Sequence, residues 1–298
     1  MKYANLHLHS VYSDGVLTPD ELCRRAKEMG YGALSLTDHY TALGWEAMER
    51  AAALHGLEYL PGIECCGAYG GKNHHIVGYG LDITEPAFAR YLQENEESAY
   101  CSTKAKFDAM TAAGRLEGLT WQEVLDDAPA RCWFCNEQIF ASLVKRRGWK
   151  QEEYYPRFIP LFRGAETGVR NTATVRTAEE MISLIRNAGG VASLAHPHGS
   201  TRFLPELFAM GLNCVEYDHP DIDGYDSAEA RKFAKEHRIY LAGGTDHTGP
   251  QLADFPLQRT SVAEAPACGK GILTPMSVDV RCGATKEEFD ALKNRIYG

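Results

Sequence analysis

The sequence predicts an α/β fold, a barrel of parallel strands wrapped by helices, with a small helical insert near its mouth. Three observations predict it. Strand-like and helix-like segments alternate along most of the chain, as in βα units around a parallel sheet. Seven short apolar runs end in, or lead straight into, a side chain that can bind metal, and a barrel gathers its strand ends at one mouth. The alternation lapses between about residues 87 and 173 into polar helical stretches.

The elements follow in order. The first strand, Tyr3 to Leu8, carries His7 and leads to His9. Thr18-Pro19-Asp20-Glu21 then supplies an N-cap, a proline in the first turn and an acid at the third helical position, ahead of Leu22, Ala26 and Met29 on one face. The second strand, Ala33 to Thr37, runs into Asp38 and His39, and the third, Tyr59 to Glu64, ends on a carboxylate. The fourth, His75 to Gly80, opens on a histidine. Helices are expected over Tyr91 to Ala113, Trp121 to Asp127 and Glu137 to Arg147, which makes 96–171 a helical insert between barrel segments 1–95 and 172–298. Thr177 with Glu180 repeats the capping device before Met181, Ile182, Ile185 and Ala188, and Gly189-Gly190 stops that helix. Strands over Val191 to Ala195, Cys214 to Tyr217 and Ile239 to Ala242 follow, the first delivering His196, the second carrying Glu216 and the last delivering Asp246 and His247.

Composition narrows the function. At 298 residues and 44% hydrophobic content the chain can bury a barrel-sized core. Its net charge of −9, from 31 basic and 40 acidic residues, opposes the broad basic surface that long nucleic acids need, so a small anionic substrate is the expected partner. The start MKYANLHLHS has no basic segment followed by a long apolar one, and no run reaches the ~18 apolar residues of a membrane span. Cytoplasmic residence is expected, and the nine cysteines, odd in number and irregularly spaced, are expected to be reduced thiols. Cys132 and Cys135 form a lone C-x-x-C with no second pair for zinc, so they read as structural.

The chemistry lies at the strand ends. His7 and His9, two apart on a strand, face the same way and can grip one ion together. Asp14 follows in a Ser-Asp-Gly turn. Two copies of Thr-Asp-His, at 37–39 and 245–247, leave apolar strands; in the first, His39 is the expected ligand and Asp38 its orienter. Glu64 ends an apolar run where an unpaired carboxylate is costly to bury, so it needs a counter-charge such as shared metal ions. Six histidines (His7, His9, His39, His75, His196, His247), two aspartates (Asp14, Asp246) and Glu64 make nine mixed donors. That is too many for one zinc and enough for about three ions at three to four ligands each.

HLHSVYSDG at 7–15, TDH at 37–39, PGIE at 61–64, HIVGY at 75–79, GGVASLAHP at 189–197, VEYDHP at 215–220 and GGTDH at 243–247 resemble the ordered motifs of the PHP (polymerase and histidinol phosphatase) family, most nearly its stand-alone metal-dependent phosphoesterases. The resemblance implies a distorted (β/α)7 TIM-like barrel with a trinuclear site. It places His7, His9, Glu64 and Asp246 on one ion, Glu64, His75 and His196 on a second, and Asp14, His39 and His247 on a third, with manganese, iron or zinc as the divalent metal. His75 is preferred to His74 by its spacing from Gly78 and Tyr79.

Such ions make water acidic enough to attack phosphorus and offset charge on the phosphoryl oxygens. His219, in the family's E-x-x-H position after Glu216, is the expected general acid, grouped with Asp246 as catalytic. His198 and Arg202 in the loop after His196, together with Arg163, are the expected phosphate contacts, since Arg suits bidentate phosphate recognition. One departure stands out: where the family's insert usually reads Arg-Pro-His, this chain has Asn136-Glu137-Gln138. The function these residues point to is hydrolysis of a small phosphomonoester, such as a nucleotide bisphosphate or a histidinol-phosphate-like compound. The alternatives are a cyclic phosphodiesterase or short-oligonucleotide exonuclease, and a non-catalytic metal or phosphate sensor.

Overall fold

The computed structural model describes residues 2–162, 176–246 and 282–298. In chain order these form β1 (Ala4–Asn5), α1 (Pro19–Glu28), β2 (Ala33–Leu34), α2 (Trp45–His55), β3 (Glu58–Tyr59), β4 (Gly62–Tyr69), β5 (Lys72–Tyr79), α3 (Pro86–Ala112), α4 (Trp121–Asp127), α5 (Asn136–Arg147) and the short α6 (Ile159–Leu161). Then come β6 (Arg176–Thr177), α7 (Ala178–Asn187), β7 (Val191–Leu194), α8 (Leu204–Ala209), β8 (Cys214–Asp218), α9 (Gly224–His237), β9 (Tyr240–Gly243) and α10 (Lys286–Tyr297). The result is a mixed α/β fold with a parallel-rich sheet system.

The strands pair as two sheets, β1-β2-β3 and β6-β4-β5-β7-β8-β9. Three departures from the sequence pattern stand out. Nine strands are described where seven are expected. The single strand expected over Tyr59 to Glu64 is two, β3 and β4, broken at Pro61, which has no N–H to give to a ladder. The expected all-parallel order also fails, because β5 runs antiparallel to both β4 and β7. The cause is the Gly70-Gly71 turn: both residues have positive φ, 58° and 75°, the two-residue connection that folds a chain back on itself in a hairpin. Backbone bonds also join the two sheets, from Leu6 N–H to Gly243 O (3.0 Å) and from Gly62 N–H to Leu36 O (3.1 Å).

The helices form where local signals demand them. Thr18 caps α1 and Thr177 caps α7, each in a reciprocal box with the glutamate three residues on. α7 buries Met181, Ile182 and Ile185 completely, each burial being worth about 1.5–3 kcal/mol. A core drawn from both sheets contains Ala4, Leu6, Ala33, Leu60, Val77, Tyr79, Val191, Cys214 and Ala242, closed by Phe289 and Leu292 of α10. The helical segment has a core of its own, with Phe107, Val124, Ile139, Phe140 and Phe158. α3 serves both: Phe88 and Tyr91 pack into the α7 core and Phe107 and Met110 into the helical one, so the boundary expected at residue 96 falls inside a continuous helix. No helix among the described residues is long and apolar enough to cross a membrane, and the eight described cysteines are free thiols.

Beyond β9 the chain presses against the residues that follow β1. A Cβ on Gly244 would collide with the backbone nitrogen and Cβ of His7. Gly244→Ala is therefore expected to destabilise the protein by about 1–3 kcal/mol, the usual range for overpacking. An unchanged midpoint in chemical denaturation would refute this close approach.

Candidate metal centre

Glu64 is the hub. It lies on β4, wholly buried, and its two oxygens face five imidazoles. Oε2 is 3.3 Å from His7 Nε2, 3.2 Å from His9 Nε2 and 3.3 Å from His39 Nδ1. Oε1 is 2.8 Å from His75 Nδ1 and 3.2 Å from His196 Nε2. The β4–β5 hairpin makes this possible, bringing His75 eleven residues downstream to the same carboxylate. His74, one residue away and so on the opposite face, instead contacts Tyr69 O and the Phe203 ring.

The remaining groups close in from other strand ends. Asp246 Oδ1 is 2.9 Å from His9 Nε2 and 3.5 Å from His7 Nε2, and Asp14 lies 3.1 Å from His9 Nδ1 and 3.6 Å from His39 Nε2. Ligand atoms within 4.8 Å of one another fall into four groups: His7, His9, Glu64 and Asp246; Glu64, His75 and His196; His9, Asp14 and His39; and His7, Glu216 and His219. The structure thus brings together eight of the nine expected ligands, while His247 lies outside the described residues.

The donors meet without satisfying one another. His7 Nε2, both ring nitrogens of His9 and Glu64 Oε2 are buried with no hydrogen-bond partner, although opposing atoms are close. Such orphans are costly in a low-dielectric interior, and a cation at their meeting point would satisfy lone pairs of both nitrogen and oxygen. The residues present therefore fit a divalent metal centre. Burial alone would depress the charged forms of His7 and His9, yet the carboxylates of Glu216, Glu64 and Asp246 around His7, and of Asp14, Asp246 and Glu64 around His9, hold both imidazoles well above their usual range. Against burial, His7, His39 and His75 hold Glu64 well below its usual range, and His7 and His9 hold Asp246 below its own. The cluster demands positive charge.

Supporting contacts fix the donors. Glu216, wholly buried on β8, has Oε1 2.8 Å from His7 Nδ1, which leaves His7 Nε2 for the cluster. Its Oε2 accepts the His196 backbone N–H at 2.6 Å. His196 and Asp246 have φ of 25° and 50°, conformations that non-glycine residues rarely adopt and that surrounding contacts must hold. Asp38 does not orient His39 as expected. It accepts from Ser10 N–H (2.7 Å), Ser10 Oγ–H (2.6 Å) and Ser13 Oγ–H (2.6 Å), fixing the loop that carries Asp14, because its short side chain points back along the chain.

His219 is buried, and burial pulls its imidazole down to about 4. The Asp221 backbone N–H donates to its Nδ1 at 3.1 Å, so the proton of the neutral ring sits on Nε2, 3.8 Å from Asp246 Oδ2. His198 and Arg202 are exposed, and the Arg202 guanidinium lies 4.8 Å over the Phe203 ring, outside the donor groups of the cluster. Arg163 lies outside the described residues. The helical segment reaches the centre through Trp133, whose ring is 5.5 Å from His39 and whose backbone N–H donates to Tyr12 O. Next to it, an open cavity of about 750 Å3 begins at Tyr40 and runs between α3 and the 125–134 stretch, lined by Leu43, Ile83, Leu92, Tyr100 and Phe134.

Comparison with known proteins places the chain among phosphoesterases. The PHP domain model matches residues 5–126. The chain is 28% identical over 250 residues to a phosphoribosyl 1,2-cyclic phosphate 1,2-diphosphodiesterase of Eggerthella lenta, covering 82% of this chain and 94% of the relative. It is 28% identical to a 3′,5′-nucleoside bisphosphate phosphatase of Chromobacterium violaceum, covering 84% and 88%. A 5′-3′ exoribonuclease of Haemophilus influenzae is 32% identical, with 66% and 69% covered. A solved structure from Bifidobacterium adolescentis shares the fold, with a TM-score of 0.75, 20% identity and coverage of 99% and 96%.

Proposed function

The chain belongs to the PHP domain family and is a phosphoesterase, and on that premise we propose that it releases phosphate from a phosphomonoester of a small metabolite. The observation that carries the proposal is the set of buried, unpartnered ring nitrogens around Glu64 Oε2, which is a cage for cations. About three divalent ions fit the donor count: His7, His9, Glu64 and Asp246 hold one; Glu64, His75 and His196 a second; Asp14 and His39, with His247, a third. Manganese, iron and zinc all suit such ligands. Bound there, the ions supply Lewis acidity that makes water a better nucleophile and offsets phosphoryl charge.

The chain's own residues do the rest. Glu216 holds His7 in the tautomer that faces the centre. His219, a neutral ring with its Nε2–H aimed at the cluster, gives a hydrogen bond to the departing oxygen that offsets the charge developing there, and water supplies the proton that oxygen takes up. His198, Arg202 and Arg163 are the side chains assigned to the substrate phosphate in this reading. The Tyr40 cavity, in the size range of small-ligand pockets, takes the organic part of the substrate. We read residues 1–95 and 172–298 as the catalytic body, a distorted (β/α)7 barrel supported by the backbone bonds between its two sheets, and 96–171 as its helical insert. A second reading, hydrolysis of a cyclic phosphodiester or of a short oligonucleotide end, draws on the Eggerthella and Haemophilus relatives.

Metal analysis of the purified protein, with phosphate release from an aryl phosphate and a panel of phosphorylated metabolites, tests the proposal. About three ions per chain and metal-dependent turnover are expected. Saturating metal should also raise stability, by about 2.7 kcal/mol for each ion site at a hundred times its dissociation constant. Bound ions with no turnover of any phosphoester would instead identify a metal or phosphate sensor.

A further inference from the structure

Resting on the phosphoesterase reading above, we propose that Glu137 selects the substrate: its carboxylate builds a hydrogen-bond-accepting wall beside Asp14 that favours phosphomonoesters whose organic part presents hydroxyl or ammonium donors and disfavours those carrying a second phosphate.

The placement rests on four contacts. Trp133 packs against His39 and bonds to Tyr12 O, while the Cys135 thiol lies 3.6 Å from Ser13 O and Gln138 Nε2 donates to the same carbonyl. The start of α5 is thereby fixed on the loop that ends in Asp14. Glu137 sits in the first turn of α5, and the buried Tyr154 hydroxyl donates to its carboxyl, while the Cys135 thiol faces Ser13 O and Gln138 Oε1 instead. A carboxylate has about four lone-pair sites, so roughly three remain for other donors.

Charge makes the selection. Among the described residues no lysine or arginine pairs with Glu137 or Asp14, and the nearby cations are engaged elsewhere. Arg131 grips Glu96 through two bonds of 3.0 and 2.7 Å, Arg146 holds Asp127 and Arg147 holds Glu123. Asn136 adds a buried Oδ1 without a partner. A second phosphate at this wall would meet acceptors and like charge, whereas a hydroxyl or ammonium group would supply the missing donor. Phosphate at the ions and donors at α5 are then two separate demands on one substrate.

A matched pair of probes tests this with the full-length, manganese-loaded protein: a nucleoside 5′-monophosphate and the corresponding 3′,5′-bisphosphate, which differ only at the 3′ oxygen. Wild type is expected to prefer the monophosphate in kcat/KM by at least about tenfold, as like-charge contact implies. Glu137→Gln should shrink that preference at least fivefold, mainly through KM for the bisphosphate, whereas Glu137→Asp should keep it. A purely structural role would lower both substrates together and leave the ratio intact. Preference for the bisphosphate by wild type, or a ratio within twofold of wild type in a folded Glu137→Gln, overturns the inference alone. Wild type that binds metal but releases phosphate from no ester, aryl phosphate included, overturns the phosphoesterase reading beneath it as well.

Discussion

Glu64→Ala is expected to remove more than 99% of activity, since losing even a group that merely supports a ligand typically costs about 10–100-fold. The argument is geometric. Five imidazoles face the two oxygens of this carboxylate, so its removal strips one donor from each of two candidate ion sites at once. Metal content should fall by at least one ion per chain. The fold should persist, because the cores made by Leu6, Val77 and Tyr79 and by Met181, Ile182 and Ile185 do not involve Glu64. Glu64→Gln, which keeps the shape and removes the charge, should behave nearly as badly, and His9→Ala should follow the same pattern. Metal counting, circular dichroism and phosphate release together check this; activity within tenfold of wild type in Glu64→Ala would refute the hub assignment.

Glu216→Ala should damage function and stability together. One oxygen orients His7, so activity is expected to fall about 10–100-fold. The other accepts the His196 backbone N–H in a strained conformation, and leaving that donor buried and unpaired costs about 1–3 kcal/mol. Urea denaturation of the metal-free protein separates the two effects, since the stability loss must appear without metal. A variant of normal stability but low activity would leave Glu216 an orienting role only, and one of normal activity would remove both.

Much of this was readable in the chain. Val191–Leu194, Cys214–Asp218 and Tyr240–Gly243 announce themselves as apolar runs of strand length, and Thr18 and Thr177 mark helix starts because capping is a local event. The ligand residues stood out because histidines and carboxylates at the ends of apolar runs are expensive unless something pays for them. What failed was relational. The direction of β5 depends on a turn, and Gly70-Gly71 between Tyr69 and Lys72 was an available hairpin signal that the apolar pattern alone does not weigh. Pro61 likewise marked the break between β3 and β4. The grip of Glu216 on His7 joins residues 209 apart, and no local spacing encodes it. Asp38 was assigned to the wrong partner because adjacency in sequence suggested His39, while its bonds reach back to Ser10 and Ser13.

The long span between β1 and the end of β9 bears on biosynthesis. Asn5 bonds to Thr245, 240 positions later, and Asp246 N–H bonds to His7 O. At about 5–20 residues per second, a ribosome that has released the first pair of histidines needs roughly 10–50 s more before it delivers the aspartate that completes their cage. During that interval the nascent chain offers only an incomplete chelator, so tight loading with metal belongs to the end of translation, and a chain cut short before β9 should leave the ribosome without it.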